Sequence, residues 1–167
     1  MPELRRQAGF TLIEIVIAAI IVLLLAGMVV PAFDDAVSDA QAASTRQILE
    51  RVRTAVNFYA FQHLEEMPGL AGGVWSSGTF LDQLQMATDE YGGTAAPGTA
   101  GYPYGPYLVE DIGTNPFNDL DTVTVLAPGQ SMLGADDLSG WVFFGETGDL
   151  RANSTEIAPD GTAVWEL

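Results

Sequence analysis

The sequence predicts an α+β fold in which one long N-terminal helix packs on a small antiparallel sheet. Residues 10–30 are apolar or glycine except for Thr11 and Glu14, and residues 34–63 contain neither glycine nor proline. The C-terminal third holds short runs rich in β-branched and aromatic residues. Because an amphipathic helix needs a second layer to cover its apolar face, these short strands are expected to supply that layer.

The apolar run predicts a membrane-spanning helix. A helix over residues 10–33 would be roughly 36 Å long at about 1.5 Å per residue, enough to cross a bilayer core of about 30 Å. Arg5 and Arg6 precede the run, and the next basic residue is Arg46. Since basic residues stay on the cytoplasmic side, we expect a cytoplasmic N-terminus, a single pass through residues 10–33, and an exported domain of residues 34–167.

Glu14 is the one carboxylate within the apolar run. A charged side chain at the centre of a bilayer costs about 2.5 to 3.5 kcal/mol on insertion scales, and such residues usually have a partner or a function. Cleavage between Gly9 and Phe10 would create a cationic amine on Phe10. That amine would provide the opposite charge that a carboxylate needs in an apolar environment.

These residues resemble the type IV prepilin cleavage and methylation motif. The resemblance is carried, after a basic leader, by Gly9, Phe10, Thr11, Leu12, Ile13, Glu14 and Ile15. It implies that a prepilin peptidase removes residues 1–9 by cutting after Gly9 and then methylates the amine of Phe10. It also implies a pilin-like fold, a role for Glu14 in assembly and register, and a helix kink at Pro31, where many pilins carry a proline.

Two other interpretations of the N-terminus compete with the prepilin motif. A secretory signal peptide has an apolar region of about 7 to 15 residues with a cleavage site close behind it. Here the run is longer, and the small-residue site at residues 40–42 lies inside a helical pattern. A simple membrane anchor would explain neither Glu14 nor the Gly9–Phe10 junction. The prepilin interpretation is therefore favoured.

The remaining elements follow from periodicity and turn residues. One helix is predicted from residue 10 to near residue 66, and His63 near its end is predicted to be a surface or capping residue without chemistry. Its inward face is predicted from residues three and four apart, namely Val37, Ala40, Ser44, Ile48, Val52, Val56 and Tyr59.

The C-terminal half is predicted to form a second helix and three or four strands. Residues 79–87 indicate a short helix with Ser77 or Thr79 as its cap. Residues 122–126 and 141–144 indicate strands, and residues 149–153 form the hairpin partner of the latter. Residues 162–165 add a short strand or dock on the domain.

Composition excludes several classes of function. The chain has 22 acidic and 6 basic residues, a formal charge of −16, and no lysine, so nucleic acid is not an expected partner. It has no cysteine, which excludes disulfides and thiol chemistry. No nucleophile–base set surrounds the single histidine, and no phosphate-binding glycine loop is present. A structural subunit is therefore favoured over an enzyme.

A second resemblance narrows the expected function. Residues 105–108 (GPYL) and residues 115–118 (NPFN) resemble a segment of the major pseudopilins of type II secretion. The absence of cysteine agrees with them, because many type IV pilins close a C-terminal loop with a disulfide. Some major pseudopilins bind Ca²⁺ in this region, and the calcium candidates here are Asp119, Asp121, Asp136 and Asp137. Their spacing matches no EF-hand, so a solvated loop is favoured, and we expect no cofactor.

The sequence thus predicts a filament subunit, most similar to the major pseudopilin of a type II secretion system. The resemblance implies insertion in a bacterial inner membrane and assembly into a helical homopolymer. It also implies four kinds of partner: minor pseudopilins, the prepilin peptidase, a platform protein and an assembly ATPase. A type IV pilus subunit, major or minor, is the alternative within the family. A membrane-anchored periplasmic enzyme is the alternative from another class.

Overall fold

The computed structural model of the protein describes residues 9–167, except for the side chains of residues 28–35. It divides into two compact units, Met1–Ser38 and Asp39–Leu167. Of the predicted leader, only Gly9 lies within the described residues. The predicted α+β class is confirmed, since the described chain combines one long helix, one short helix and several small sheets.

The long helix, α1, extends over Leu12–Gln62 and is shorter at both ends than predicted. It ends at Gln62 because Leu64 and Glu65 adopt left-handed φ angles of 57° and 66°, which a helix cannot contain. The helix continues through residue 31. The side chain of Pro31 lies outside those described, so the kink there stays a prediction.

The buried face of α1 differs in part from the predicted one. Val52, Val56 and Tyr59 are buried as predicted, but Val37, Ala40 and Ser44 are exposed. The buried positions towards the start of the second unit are instead Ala42, Thr45 and Leu49. Residues 36–47 contain mostly alanine, serine and polar side chains, so their apolar periodicity could not fix the inward face.

The second helix, α2, covers Ser77–Gln85 and begins earlier than predicted. Its cap is Ser76, whose hydroxyl accepts a hydrogen bond from the Thr79 amide at 3.1 Å, so neither Ser77 nor Thr79 is the cap. Two short hairpins flank α2. They consist of β1 with β2 and β3 with β4, with the bounds Leu70–Ala71, Val74–Trp75, Ala87–Thr88 and Thr94–Ala95.

The main sheet has the order β5–β6–β7, with bounds Val123–Leu126, Trp141–Phe144 and Asp149–Ala152. The predicted antiparallel sheet is wrong in one pair. β6 and β7 form the expected antiparallel hairpin, but β5 and β6 are parallel. The connection over residues 127–140 is long enough to bring the chain back to the end of the sheet where β5 starts. β6 therefore begins beside the start of β5 and runs in the same direction. The last segment docks as a 3₁₀ turn, Val164–Glu166, and adds no strand to this sheet.

The core of the second unit lies between α1, α2 and the three-stranded sheet. Leu49, Val56 and Tyr59 of α1 share one apolar cluster with Phe80 of α2 and Phe143 of β6. The rings of Phe80 and Phe143 lie 4.5 Å apart between centroids. This cluster explains why the second half of α1 is amphipathic, because the apolar face of α1 packs against α2 and the sheet.

Within residues 9–27 and 36–167, no helix combines the length and the apolar character needed to cross a membrane. The predicted span, residues 10–33, extends into residues 28–33, whose side chains lie outside those described.

Candidate functional site

The start of α1 forms a capping box. Thr11 precedes the first helical residue, and its carbonyl oxygen accepts a hydrogen bond from the Ile15 amide at 3.4 Å. Glu14 Oε2 accepts bonds from the Thr11 amide and the Thr11 hydroxyl, both at 2.8 Å. The Glu14 amide donates to Thr11 Oγ1 at 3.4 Å. The two residues therefore satisfy each other's backbone donors at the helix start.

This geometry gives Glu14 a partner that sequence reasoning missed. The pattern T-x-x-E at residues 11–14 is a capping-box signal, and it lies within the prepilin-type motif. The predicted pair with the Phe10 amine requires a free amine, which exists only after cleavage. That pair therefore stays a prediction. Glu14 accepts hydrogen bonds from Thr11 in the described chain, and the Phe10 amine is its predicted partner after cleavage.

Replacing Thr11 by valine is expected to weaken the start of α1 by about 1 kcal/mol, because the hydroxyl that caps the Glu14 amide is lost. Hydrogen exchange at the amides of residues 11–15 should accelerate by about fivefold for that loss. Thr11→Ser keeps a hydroxyl and is the matched control. Equal exchange in the two variants would show that the hydroxyl does not hold the helix start.

Gly9 and Phe10, the predicted cleavage junction, are both exposed. A Cβ atom added at Gly9 would meet no described atom within 4 Å. Packing within the described chain therefore does not require glycine at this position.

The helix that follows this junction exposes most of its apolar residues. Its large apolar side chains from Phe10 to Leu25 are exposed in the isolated chain. Glu14 is the one charged residue among them.

The calcium candidates differ in their hydrogen bonding. Asp119, Asp121 and Asp136 are exposed, and Asp137 is half-buried. Asp136 Oδ1 accepts bonds from the Asn153 side chain and the Leu138 amide, and Asp137 accepts from the amide and hydroxyl of Thr155. Among the described side chains, no three histidine, cysteine or acidic residues are placed to hold a metal ion.

The segment at residues 115–118 has a structural role in the sheet. Asn115 is buried, and its Nδ2 donates to the Gly140 carbonyl at 2.9 Å. Asn118 Nδ2 donates to the carbonyls of Ser139 and Asn153 at 3.0 and 2.8 Å. These bonds hold the end of the crossover at the start of β6. Gly140 is required there, because a Cβ would lie 2.0 Å from the Leu120 carbonyl oxygen.

Acid should weaken this loop through Asp136. The hydrogen bond from Asn153 Nδ2, at 2.7 Å, is the main cause that holds the pKa of the Asp136 carboxyl below its usual range. A lowered folded-state pKa contributes stability above the unfolded value of about 3.9, and this contribution is lost as pH falls through the folded-state pKa. Asp136→Asn should therefore have a lower urea midpoint than the wild type at neutral pH, and the difference between the two midpoints should shrink as the pH falls below about 3.9. A constant difference across that range would contradict this role.

His63 is buried, so its predicted place on the surface is wrong. Its ring stacks on Tyr59 with centroids 3.8 Å apart, and its Nδ1 lies 2.7 Å from the Tyr59 carbonyl oxygen. A carbonyl only accepts, so Nδ1 carries the proton. Nε2 then has no hydrogen-bond partner among the described residues. Burial also raises the pKa of the Tyr59 phenol. Both rings line a pocket of about 330 Å³ beside Glu66 and Glu90.

Comparison with known proteins matches the start of the chain. Residues 4–30 match the family model described as the prokaryotic N-terminal methylation motif. We found no match to the chain among curated proteins or among solved structures. The matched residues include the predicted cleavage junction, the capping box and the apolar run of residues 10–30. The chain therefore carries a prepilin-type N-terminal methylation motif, which is consistent with the type IV pilin and pseudopilin family.

Proposed function

We propose that this protein is a structural subunit of a pilus-like filament, specifically the major pseudopilin of a type II protein secretion system. The observation that carries the proposal is the match of residues 4–30 to the N-terminal methylation motif. The exposed Gly9–Phe10 junction and the apolar helix beyond it support the same function. A filament subunit needs no catalytic group of its own, so we propose no enzymatic activity.

The proposed path begins in the bacterial inner membrane. The subunit inserts with residues 1–9 in the cytoplasm, residues 10–33 across the bilayer, and residues 34–167 in the periplasm. Prepilin peptidase removes the leader and methylates Phe10. A platform protein and an assembly ATPase then transfer the subunit into a filament with other copies and with minor pseudopilins. There the apolar helices cover one another in place of lipid.

The type IV pilus subunit is the second candidate. The absence of cysteine and the segments at residues 105–108 and 115–118 favour the secretion pseudopilin. The neighbouring genes distinguish the two. Secretion ATPase and outer-membrane secretin genes without twitching or adhesion genes would support secretion, and the opposite arrangement would support a pilus.

Cleavage is the most direct test of the proposed function. The mature protein is expected to begin at Phe10 with one methyl group on its amine, because the glycine at residue 9 lets a peptidase approach the backbone. Intact-protein mass spectrometry of the membrane fraction measures this. Deletion of the prepilin peptidase should leave Met1 in place and is the control. A mature chain that starts at Ala43 would instead indicate a secretory signal peptide and end the prepilin proposal.

A further inference from the structure

The C-terminal end of α1 borders a pocket of about 330 Å³ within the second unit, which we name the α1-end pocket. Three segments form its walls, namely residues 59–67, the hairpin of β1 and β2, and the loop between β3 and β4. Pockets that bind small molecules have volumes of about 300 to 1,000 Å³. The α1-end pocket therefore has room for a small ligand.

A buried glutamine, Gln83, holds two of these walls together. Its Oε1 accepts a hydrogen bond from the Gly69 amide at 2.7 Å. Its Nε2 donates to the carbonyls of Leu70 and Gly92 at 3.1 and 2.8 Å. Because a buried amide that lost these partners would be left unsatisfied, the hairpin and the loop are fixed in place before a ligand arrives.

Two carboxylates at the α1-end pocket have no arginine beside them. Glu66 and Glu90 both line the pocket, and both are exposed. Asp89 orders the loop between β3 and β4, because its Oδ1 accepts from the amides of Tyr91 and Gly93 at 2.9 and 2.8 Å. Every ion pair among the described residues lies elsewhere in the chain. The pocket therefore carries negative charge that no described side chain compensates.

The stacked rings of Tyr59 and His63 form the buried side of the pocket, and they are 2% and 1% exposed. With the proton of the neutral ring on Nδ1, the His63 Nε2 is an acceptor, and it has no hydrogen-bond partner among the described residues. A buried polar atom without a partner costs free energy, which a donor placed in the pocket would recover. His63 thus indicates a ligand independently of the two carboxylates.

These groups together define the chemistry of the ligand. The carboxylates and the His63 Nε2 all accept hydrogen bonds, and an alkylammonium group is a cation with three donors and no acceptor. The exposed Tyr91 ring can attract the same cation, and Met67 and Leu70 offer apolar contact to its alkyl chain. A metal ion fits less well, because among the described side chains no three histidine, cysteine or acidic residues are placed to hold one.

We propose that the α1-end pocket binds a primary ammonium group on a short alkyl chain. Glu66 and Glu90 balance its charge, and the His63 Nε2 accepts one of its hydrogen bonds at the buried side. The chain has no lysine, so the ammonium group does not come from a lysine side chain of a second copy. Its source is a free alkylamine or a lysine side chain of a different protein, which share this chemistry. The site goes beyond the proposed function and does not depend on filament formation.

His63 reports directly on binding, because it is the single histidine of the chain. We consider the full chain in a nonionic detergent, labelled with ¹⁵N in histidine, at constant pH and ionic strength. Butylamine is expected to shift the Nε2 resonance until it saturates. Butanol and butyrate have the same number of carbon atoms but no positive charge, and neither should shift it. No saturable shift with butylamine, or an equal shift with butanol, would overturn the proposal.

Two double variants test the carboxylates at equal net charge. Glu66→Gln/Glu90→Gln neutralises the pocket, and Glu50→Gln/Glu156→Gln neutralises two exposed carboxylates outside it. The pocket variant is expected to weaken the affinity for butylamine by at least about fivefold, and the outside variant should stay within about twofold of wild type. Both should keep the wild-type melting temperature, since exposed side chains contribute little to stability. Equal losses of affinity would assign the attraction to net charge and remove the pocket from the explanation.

A comparison of two probes identifies the source of the ammonium group. Nα-acetyl-lysine methylamide carries the lysine side chain with its backbone blocked, and butylamine stands for a free alkylamine. Tighter binding of the lysine derivative would support a lysine side chain of a different protein, and tighter binding of butylamine would support a free amine. The ammonium site stands in either case. Saturable binding of neither probe to the wild-type chain would contradict it.

Discussion

Replacing Glu14 by alanine is expected to abolish filament formation while cleavage after Gly9 continues. In the filament that we propose, the apolar halves of α1 would pack together and the Glu14 carboxylate would need a cation, which we expect the Phe10 amine of a neighbouring copy to supply. Removing one partner of a buried ion pair costs about 3 to 5 kcal/mol, which is more than a hundredfold in the affinity of a subunit for the filament. Shear-fraction recovery and electron microscopy measure the loss.

The capping box makes a sharper set of controls available for Glu14. Glu14→Gln keeps a side-chain oxygen that can accept the Thr11 amide but loses the charge. Glu14→Asp keeps the charge on a shorter side chain and should be intermediate. If the charge pair drives assembly, Glu14→Gln should fail as Glu14→Ala does. Normal filaments from Glu14→Gln subunits, without wild-type subunits present, would show that Glu14 acts through the cap alone.

Replacing Phe143 by alanine is expected to destabilise the second unit by about 3 to 5 kcal/mol, a large part of the stability of a domain. Phe143 is 0% exposed in the central strand β6, and it contacts the Phe80 ring. The variant loses the buried ring and leaves a cavity between the sheet and α2. Urea unfolding of the full chain in detergent, followed by tryptophan fluorescence, measures the change.

Phe61→Ala is the matched control, because the same ring is removed from an exposed position on α1. Its free energy of unfolding should lie within about 0.5 kcal/mol of the wild-type value. Phe143→Ala should also lose filaments, because its domain unfolds. A large loss of stability in both would mean that Phe61 packs within the domain.

The fold class was predictable because its signals are local and strong. The unbroken apolar run, the absence of glycine and proline over residues 34–63, and the β-branched and aromatic residues of 141–144 can each be read from a short stretch of sequence. The cleavage motif is likewise continuous in sequence, and it matched a family model without help from the tertiary structure. Glu14 was recognised because one charge in an apolar run is costly wherever the run folds.

Three features required the tertiary structure. The direction of β5 relative to β6 depends on the path of the connection over residues 127–140. The residues of a strand do not indicate whether its neighbour is parallel or antiparallel. The burial of His63 depends on Tyr59 and on aromatic rings distant in sequence. The inward face of α1 near Ala42 depends on the loops that cover it, because alanine and serine fit a buried or an exposed position equally well.

The sequence by itself determined the processing motif, the long helix and the acidic surface, because each is a property of consecutive residues or of composition. Only the tertiary structure decided which side of α1 stays uncovered. The apolar core takes Leu49, Val52 and Val56, so the side with Phe58 and Phe61 is left to solvent. Whether a helix residue is buried depends on the segments that pack against it. The apolar pattern of a helix therefore cannot tell which of its apolar residues its own domain will cover.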